Sequence, residues 1–272
     1  MKNDVIVLKD VPYGEHERQI IDIYIPKNPK TKNGFVLIVH GGGWSDGDKT
    51  IHNPDVEHWS GLGYACGTMN YRFVSENITI FNELDDITSA LETVKEKCGE
   101  YGFDLKKLLL SGGSAGAHLS LMYAYTRKDT APVTPVAVCC QCPPVDCSQA
   151  DFLMGMKGEF ENWKYEVLSK CCGVVLNKDN FLNEASQQKL KEMSPVTYLN
   201  ESCVPTAVSH GICDELVPYK QALLLMDMLD ELNIRHDLIT FEHSGHALDK
   251  DPDSLEQGRK LMEKYIEDYL VD

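Results

Sequence analysis

The segment Leu108-Leu-Leu-Ser-Gly-Gly-Ser-Ala-Gly-Ala-His-Leu119 predicts a buried strand that turns sharply into a helix. The apolar run 108–110 is typical of a strand and residues 115–125 are typical of a helix. Between them, residues 112–116 fit the pattern G-x-S-x-G of a nucleophile elbow, in which glycines relieve strain and allow close approach of the backbone. A glycine-rich turn in any α/β protein would fit the same five residues. Ser114 is therefore a candidate nucleophile whose role depends on the rest of the chain.

The order of apolar runs predicts an α/β fold. Continuous runs alternate with amphipathic segments, which is typical of a mostly parallel sheet with helices on both faces. The first two strands, 5–8 and 20–25, are expected to be antiparallel, with the second as a half-exposed edge. Residues 147–193 interrupt the alternation and are interpreted as a small cap insertion. The further strands are predicted at 35–39, 65–71, 108–110, 135–140, 204–210 and 235–241, and the main helices at 83–98, 115–125 and 219–233, with another at the C-terminus.

Composition indicates one soluble α/β domain spanning 1–272. Hydrophobic residues make up 43% of the 272 positions and charged residues 25%, as in ordinary globular proteins. The sequence has no apolar stretch of bilayer length and no signal-peptide pattern, so a cytoplasmic location is expected. The net charge of −16, from 26 basic and 42 acidic residues, disfavours nucleic acid and anionic membranes as partners.

The ten cysteines are expected to be reduced and buried rather than to bind metal. Cys139-Cys140-Gln-Cys142 and Cys171-Cys172 are the main clusters. Neither contains the two C-x-x-C motifs that are paired in a zinc site. No metal and no cofactor are therefore predicted.

A second motif, His40-Gly-Gly-Gly-Trp44, directly follows the predicted strand 35–39. Successive glycines leave backbone N–H groups uncovered, so that they can point at an anion or a developing oxyanion. A flexible turn or a phosphate-binding loop is the alternative, but neither the G-x-G-x-x-G spacing nor a Walker lysine is present. An H-G-G-G loop after an early strand is typical of the oxyanion loop that accompanies G-x-S-x-G.

Asp214 and His246 are the predicted partners of Ser114. A serine hydroxyl needs a base within hydrogen-bond reach to act as a nucleophile near neutral pH. Asp214 lies on the loop after strand 204–210, and His246 follows the last strand. Both loops are expected at the carboxyl edge of the sheet, where Ser114 also lies. His246 would act as general base and acid, while Asp214 would orient its imidazole.

Nearby polar residues are expected to have structural roles. Glu215 adjoins Asp214 but should point away from it, and His243 is disfavoured against His246, which follows a glycine and precedes an apolar helix start. The others are His210 (structural or beside the site), His118 (a satisfied core histidine), Asp146 (a pocket acid at most), His40 (bonded to backbone in the oxyanion loop) and Arg72 (paired with a carboxylate).

With these motifs the chain resembles the α/β-hydrolase superfamily, in the esterase/lipase branch related to hormone-sensitive lipase and to feruloyl-esterase-like proteins. The resemblance implies that the backbone N–H groups of Gly42, Gly43 and Ala115 form the oxyanion hole. The segment before the first motif is too short for the large helical cap of many hormone-sensitive-lipase relatives. The matching segments are His40–Trp44, Asn70–Arg72, Gly112–Gly116, Ser194–Val196, His210–Asp214 with Val217-Pro218, and Gly245-His246.

The predicted function is that of a cofactor-independent serine hydrolase that cleaves carboxylic esters through an acyl-serine intermediate at Ser114. Compact size favours small substrates with short acyl or acetyl groups. Two alternatives stay open: an amide hydrolase of the formamidase or peptidase kind, and a catalytically silent hydrolase scaffold used for binding. The expected partner is a small-molecule ester, and a homo-oligomer is possible.

Overall fold

The computed structural model describes residues 4–149 and 161–271 and contains an eight-stranded sheet in the order β1-β2-β4-β3-β5-β6-β7-β8. β1 pairs antiparallel with β2, β2 pairs antiparallel with β4, and the other pairs are parallel. The predicted mostly parallel sheet is thus confirmed. The strands are β1 (Val5–Pro12), β2 (Ile20–Pro26), β3 (Gly34–Val39), β4 (Cys66–Met69), β5 (Lys107–Gly113), β6 (Thr134–Gln141), β7 (Thr206–Gly211) and β8 (His236–Phe241).

One prediction for the N-terminal strands is wrong. β2 is not an edge, because it lies between β1 and β4 and is buried along nearly its whole length. β1 forms the edge instead, and its residues are half-buried or exposed. The alternation in β2 comes from Asp22, a buried carboxylate that binds Lys49 at 2.7 Å and Lys9 at 2.8 Å. A polar residue in a strand therefore marked a buried ion pair rather than a solvent-facing side.

Helices cover both faces of the sheet, as predicted. In β3, the alternate residues Phe35, Leu37 and Val39 pack into one hydrophobic cluster, whereas Val36 and Ile38 pack into another on the opposite face. Successive strand side chains point to opposite sides, so a strand that is apolar throughout requires cover on both. The helices are α1 (Asn53–Gly61), α2 (Ile80–Gly99), α3 (Ala115–Thr126), α4 (Glu161–Cys172), α5 (Glu184–Glu192), α6 (Lys220–Glu231) and α7 (Pro252–Leu270).

The predicted cap segment, 147–193, is described in part. Residues 150–160 lie outside the described residues, and α4 and α5 follow them before β7. Val167, Leu168 and Cys171 of α4 are buried in the larger hydrophobic cluster. α4 is therefore packed against the body of the domain.

The start of α2 buries two carboxylates, and Arg72 forms an ion pair with one of them. Arg72 binds Asp86 through Nε at 3.0 Å and through Nη2 at 2.6 Å, which confirms the predicted carboxylate partner. Glu83 lies one turn before Asp86 and is fully buried, and within the part of the chain that the structure describes neither of its carboxylate oxygens has a hydrogen-bond partner. Burial, together with the negative charge of Asp86, raises the pKa of Glu83 well above its usual range. The folded protein is therefore expected to bind the Glu83 proton more tightly than the unfolded chain does.

Replacing Glu83 by glutamine is expected to change how stability depends on pH. The folded state binds the Glu83 proton more tightly than the unfolded chain does, so the contribution is fully present below the unfolded pKa of about 4.3 and declines as pH rises toward the folded pKa. Over that window wild type should lose about 1.4 kcal/mol of unfolding free energy per pH unit relative to Glu83→Gln. Urea unfolding at pH 5, 6 and 7 measures this difference. Glu92→Gln, on the exposed side of the same helix, is the control, and parallel curves for wild type and Glu83→Gln would contradict the prediction.

Candidate active site

The loops that carry the predicted site residues leave the same edge of the sheet. β3 and β5 are parallel neighbours whose last pair is Val39 with Gly112, so the glycine loop and the elbow start side by side. A Cβ atom on Gly41 would lie 3.3 Å from Cβ of Ser114, which puts the two motifs in direct contact. Asp214 follows β7 and His246 follows β8, the last two parallel strands.

Ser114 has the strained backbone that the elbow motif predicts. Its φ is 54° and its ψ is −120°, a conformation that costs a non-glycine residue roughly 1–3 kcal/mol. Its N–H donates to the carbonyl oxygen of Gln141 at 2.8 Å, and α3 begins at the next residue. The half-buried side chain thus lies at the positive end of a helix. Within the described residues its hydroxyl forms no hydrogen bond.

Asp214 and His246 form a hydrogen-bonded pair. His246 Nδ1 lies 2.7 Å from Asp214 Oδ2, and Asp214 Oδ1 accepts the N–H groups of Leu216 and Val217 at 2.9 Å. Burial alone would raise the pKa of Asp214, but hydrogen bonds from His210 and His246 hold it well below its usual range. The ionised carboxylate fixes the proton of His246 on Nδ1 and leaves Nε2 as an acceptor.

The backbone groups of Ser114 and His246 both contact the end of β6. Gln141 binds the Ser114 N–H, and the thiol of the next residue, Cys142, lies 3.7 Å from the carbonyl oxygen of His246. A direct hydrogen bond between the serine and the histidine is not formed among the described residues. Catalytic hydrogen bonds are often long in the absence of substrate and tighten when it binds.

His210 lies beside the site, which is one of the two roles that the sequence predicted for it. Its Nε2 donates to the carbonyl oxygen of Val217 at 2.8 Å and lies 3.4 Å from Asp214 Oδ2. His210 is fully buried, and its Nδ1 has no hydrogen-bond partner among the described residues. The spacing of four residues between His210 and Asp214 is the sequence signal that could have indicated this contact.

The glycine loop is held from behind by a buried network. His40 Nδ1 donates to the Gly41 carbonyl at 2.6 Å, as predicted, and Tyr71 donates its hydroxyl to the His40 carbonyl at 2.9 Å. Arg18 reaches the loop from the β1–β2 turn: its Nη2 lies 3.3 Å from His40 Nε2 and donates to the Gly47 carbonyl at 3.0 Å. Burial lowers the pKa of His40 to about 4, so it stays neutral. The sequence contained no local signal for Arg18.

The predicted oxyanion donors are available. Within residues 4–149 and 161–271 the N–H groups of Gly42, Gly43 and Ala115 donate to no protein acceptor. Trp44, which ends the loop, donates its Nε1–H to His118 Nδ1 at 3.1 Å, and His118 Nε2 donates to the Met193 carbonyl at 2.7 Å. His118 is therefore the satisfied core histidine that was predicted, and it joins the glycine loop to the helix behind Ser114.

The rival residues have other partners. His243 is exposed and binds Asp251 at 2.7 Å, and Glu215 is exposed. The Asp146 carboxylate accepts the N–H of Ser148 at 3.0 Å and thereby stabilises its own turn.

Gly42 is a position that only glycine can occupy. Its φ is +122°, and a Cβ atom there would lie 2.0 Å from the carbonyl oxygen of Asp46. Gly42→Ala should therefore displace the loop and reduce kcat by roughly 10²–10³-fold, the effect of losing an oxyanion donor, while KM changes little. Steady-state kinetics on p-nitrophenyl butyrate measure this. Gly61→Ala, at the open end of α1 where a Cβ meets no neighbour, is the control, and an unchanged kcat for Gly42→Ala would contradict the prediction.

One grouping among the described residues has the geometry to hold a metal ion. Ligand atoms of Cys142, Asp214 and His246 lie within 4.8 Å of one another. However, Asp214 and His246 are hydrogen-bonded to each other. Burial also raises the pKa of the Cys142 thiol, which disfavours the thiolate that would bind a metal. The chemistry of these donors therefore favours a proton between Asp214 and His246 over a shared metal ion.

Sheet order, elbow and late Asp–His pair together define an α/β-hydrolase fold. A family model described as BD-FAE matches residues 21–229, and the chain belongs to that family. Two solved structures share the fold. Esterase B from Lactobacillus Rhamnosis has a TM-score of 0.74 and 20% identity, over 96% of this chain and 85% of that one. Thermogutta terrifontis esterase 2 phosphorylated by paraoxon has a TM-score of 0.69 and 20% identity, over 97% and 94%.

Among curated proteins, the chain is 30% identical over 233 residues to the probable carboxylic ester hydrolase LipM of Mycobacterium tuberculosis. That alignment covers 82% of this chain and 52% of LipM. The chain spans about half the length of several curated relatives that it matches. No helix among the described residues has the length and apolar character to cross a membrane.

Proposed function

We propose that this protein hydrolyses carboxylic esters through an acyl-serine intermediate at Ser114. The observation that carries the proposal is the meeting of three features at one sheet edge. These are a serine in a strained elbow, an Asp214–His246 pair, and the N–H groups of a glycine loop. Among the described residues neither His246 Nε2 nor those N–H groups form a hydrogen bond. Relatives in sequence and structure are named as esterases and ester hydrolases, which supports the same chemistry here.

In the proposed mechanism His246 Nε2 takes the proton of the Ser114 hydroxyl as the oxygen attacks the ester carbonyl. The N–H groups of Gly42, Gly43 and Ala115 stabilise the resulting oxyanion. His246 then protonates the departing alcohol, and a water molecule releases the acid by the same steps. Asp214 stays ionised throughout and stabilises the imidazolium.

Short acyl groups are the proposed substrates, with residues 147–193 as a small cap on a single domain spanning 1–272. The contact of α4 with the glycine loop supports the cap, since a Cβ atom on Gly43 would meet the Trp163 ring at 2.7 Å. We also propose a cytoplasmic location, which is supported by ten cysteines that are all free thiols, nine of them buried.

The test is hydrolysis of p-nitrophenyl esters from acetate to octanoate, together with labelling of Ser114 by a fluorophosphonate located by peptide mass spectrometry. Hydrolysis and labelling at Ser114 are expected. The absence of both hydrolysis and labelling would overturn the proposal. Matched ester and amide pairs separate an esterase from an amidase, and we expect kcat/KM to favour the ester.

A further inference from the structure

Helix α4 brings an aromatic side chain from the insertion to the glycine loop. Trp163, Val167 and Cys171 are spaced by four residues and therefore share one face of the helix. Val167 and Cys171 are buried in the large hydrophobic cluster, and Trp163 packs against it while half-buried. At the other end of α4 a Cβ atom on Gly173 would lie 3.3 Å from Thr79 Cγ2, so the helix is fixed against the start of α2. The indole is thus carried on a packed helix rather than on a free loop.

The indole of Trp163 lies directly on the predicted oxyanion loop. A Cβ atom built on Gly43 would be 2.7 Å from Cζ2 and 2.8 Å from Cη2 of Trp163. The outer edge of the six-membered ring therefore faces a glycine whose N–H donates to no acceptor in residues 4–149 and 161–271 and can bind the substrate oxyanion. A substrate whose carbonyl oxygen binds that N–H must place its neighbouring atoms beside the indole.

The sheet order determines which part of an ester lies beside Trp163. His246 follows β8, on one side of β5, whereas the glycine loop follows β3, the neighbour of β5 on the other side. The leaving alcohol has to lie near His246, because that residue protonates it. The carbonyl oxygen points to the glycine loop, so the acyl group is the substituent that lies on the side away from His246, which is the side where Trp163 contacts Gly43.

We infer that Trp163 is the specificity-determining residue that closes the acyl pocket and restricts the enzyme to short acyl chains. The inference rests on the proposed esterase function and adds to it the wall that sets chain length. Trp163 takes no part in proton transfer, so its removal should change which ester is used rather than whether esters are cleaved.

The experiment is a ladder of p-nitrophenyl esters from acetate to decanoate, measured for wild type, Trp163→Ala and Trp163→Phe. Burial of one methylene group is worth roughly fourfold in binding. We therefore expect the octanoate-to-acetate ratio of kcat/KM to rise by roughly tenfold or more in Trp163→Ala, with Trp163→Phe in between. In a second ladder, acetate esters of alcohols of increasing size, the ratios should stay within about twofold of wild type, because the alcohol lies away from the indole.

Tyr165→Ala is the matched control. It removes an aromatic ring from the same helix, but that ring packs against Phe181 at 5.9 Å between centroids, away from Gly43. Its acyl profile should match wild type. Trp163→Phe keeps the aromatic packing, so its profile decides the matter if Trp163→Ala does not fold.

The outcomes separate this inference from the proposed function. A wild type that cleaves no ester and is not labelled at Ser114 overturns the esterase proposal. A wild type that is active and labelled, with acyl profiles unchanged in both Trp163 variants, overturns only the assignment of Trp163. A change confined to the alcohol ladder would also overturn it, because Trp163 would then border the leaving group.

Discussion

Ser114→Ala is expected to reduce kcat for p-nitrophenyl butyrate by roughly 10⁴-fold or more and to abolish labelling by the fluorophosphonate. Without the hydroxyl there is no acyl-serine intermediate, and His246 and the oxyanion N–H groups can act only on a bound water molecule. The measurement combines steady-state kinetics with mass spectrometry of the labelled peptide.

Ser111→Ala is the matched control for Ser114→Ala. Ser111 lies in β5, three residues before Ser114, and its hydroxyl is buried 4.0 Å from the sulfur of Met262, so activity and labelling should be retained. Ser114→Gly should be as inactive as Ser114→Ala and at least as stable as that variant, because glycine adopts φ of 54° without the strain of a side chain. Residual activity of Ser114→Ala within tenfold of wild type would rule out this serine as the nucleophile.

Asp214→Asn is expected to reduce kcat by roughly 10³–10⁴-fold. An amide can donate its N–H₂ to His246, which would move the imidazole proton from Nδ1 to Nε2 and remove the acceptor for the Ser114 proton. The backbone N–H groups of Leu216 and Val217 would hold the amide oxygen and so favour that orientation. Kinetics on the butyrate ester measure the effect. Glu215→Gln changes the exposed neighbouring carboxylate and should leave kcat within about twofold of wild type.

The same variant tests the ionised state of Asp214 through stability. The folded-state pKa of Asp214 is depressed, so its contribution is present above the unfolded value of about 3.9 and is lost as pH falls toward the folded pKa. Wild type should therefore lose more unfolding free energy between pH 5 and pH 3 than Asp214→Asn does. Equal losses would show that the carboxylate is not held ionised by His210 and His246.

Local patterns were sufficient where function depends on adjacent residues. The strained turn at Ser114 follows from a strand, a glycine-serine-glycine turn and a helix that are contiguous in sequence. His40 and the glycines after it depend in the same way on consecutive backbone groups. In β2 the same kind of local pattern predicted a half-exposed edge strand. That prediction was wrong because Asp22, the polar residue in the pattern, is buried in an ion pair with Lys49.

The amino-acid sequence by itself determined the α/β fold, the elbow at Ser114 and the chain order of the predicted serine, aspartate and histidine. Periodicity and glycine spacing are patterns of a few neighbouring residues, and they are sufficient to predict the features just named. Only the tertiary structure decided that Arg18 supports the glycine loop and that Trp163 lies on Gly43. These contacts join segments that are separated along the chain or belong to different elements. They depend on how strands and helices pack, and a pattern of a few neighbouring residues does not encode which distant segments will meet.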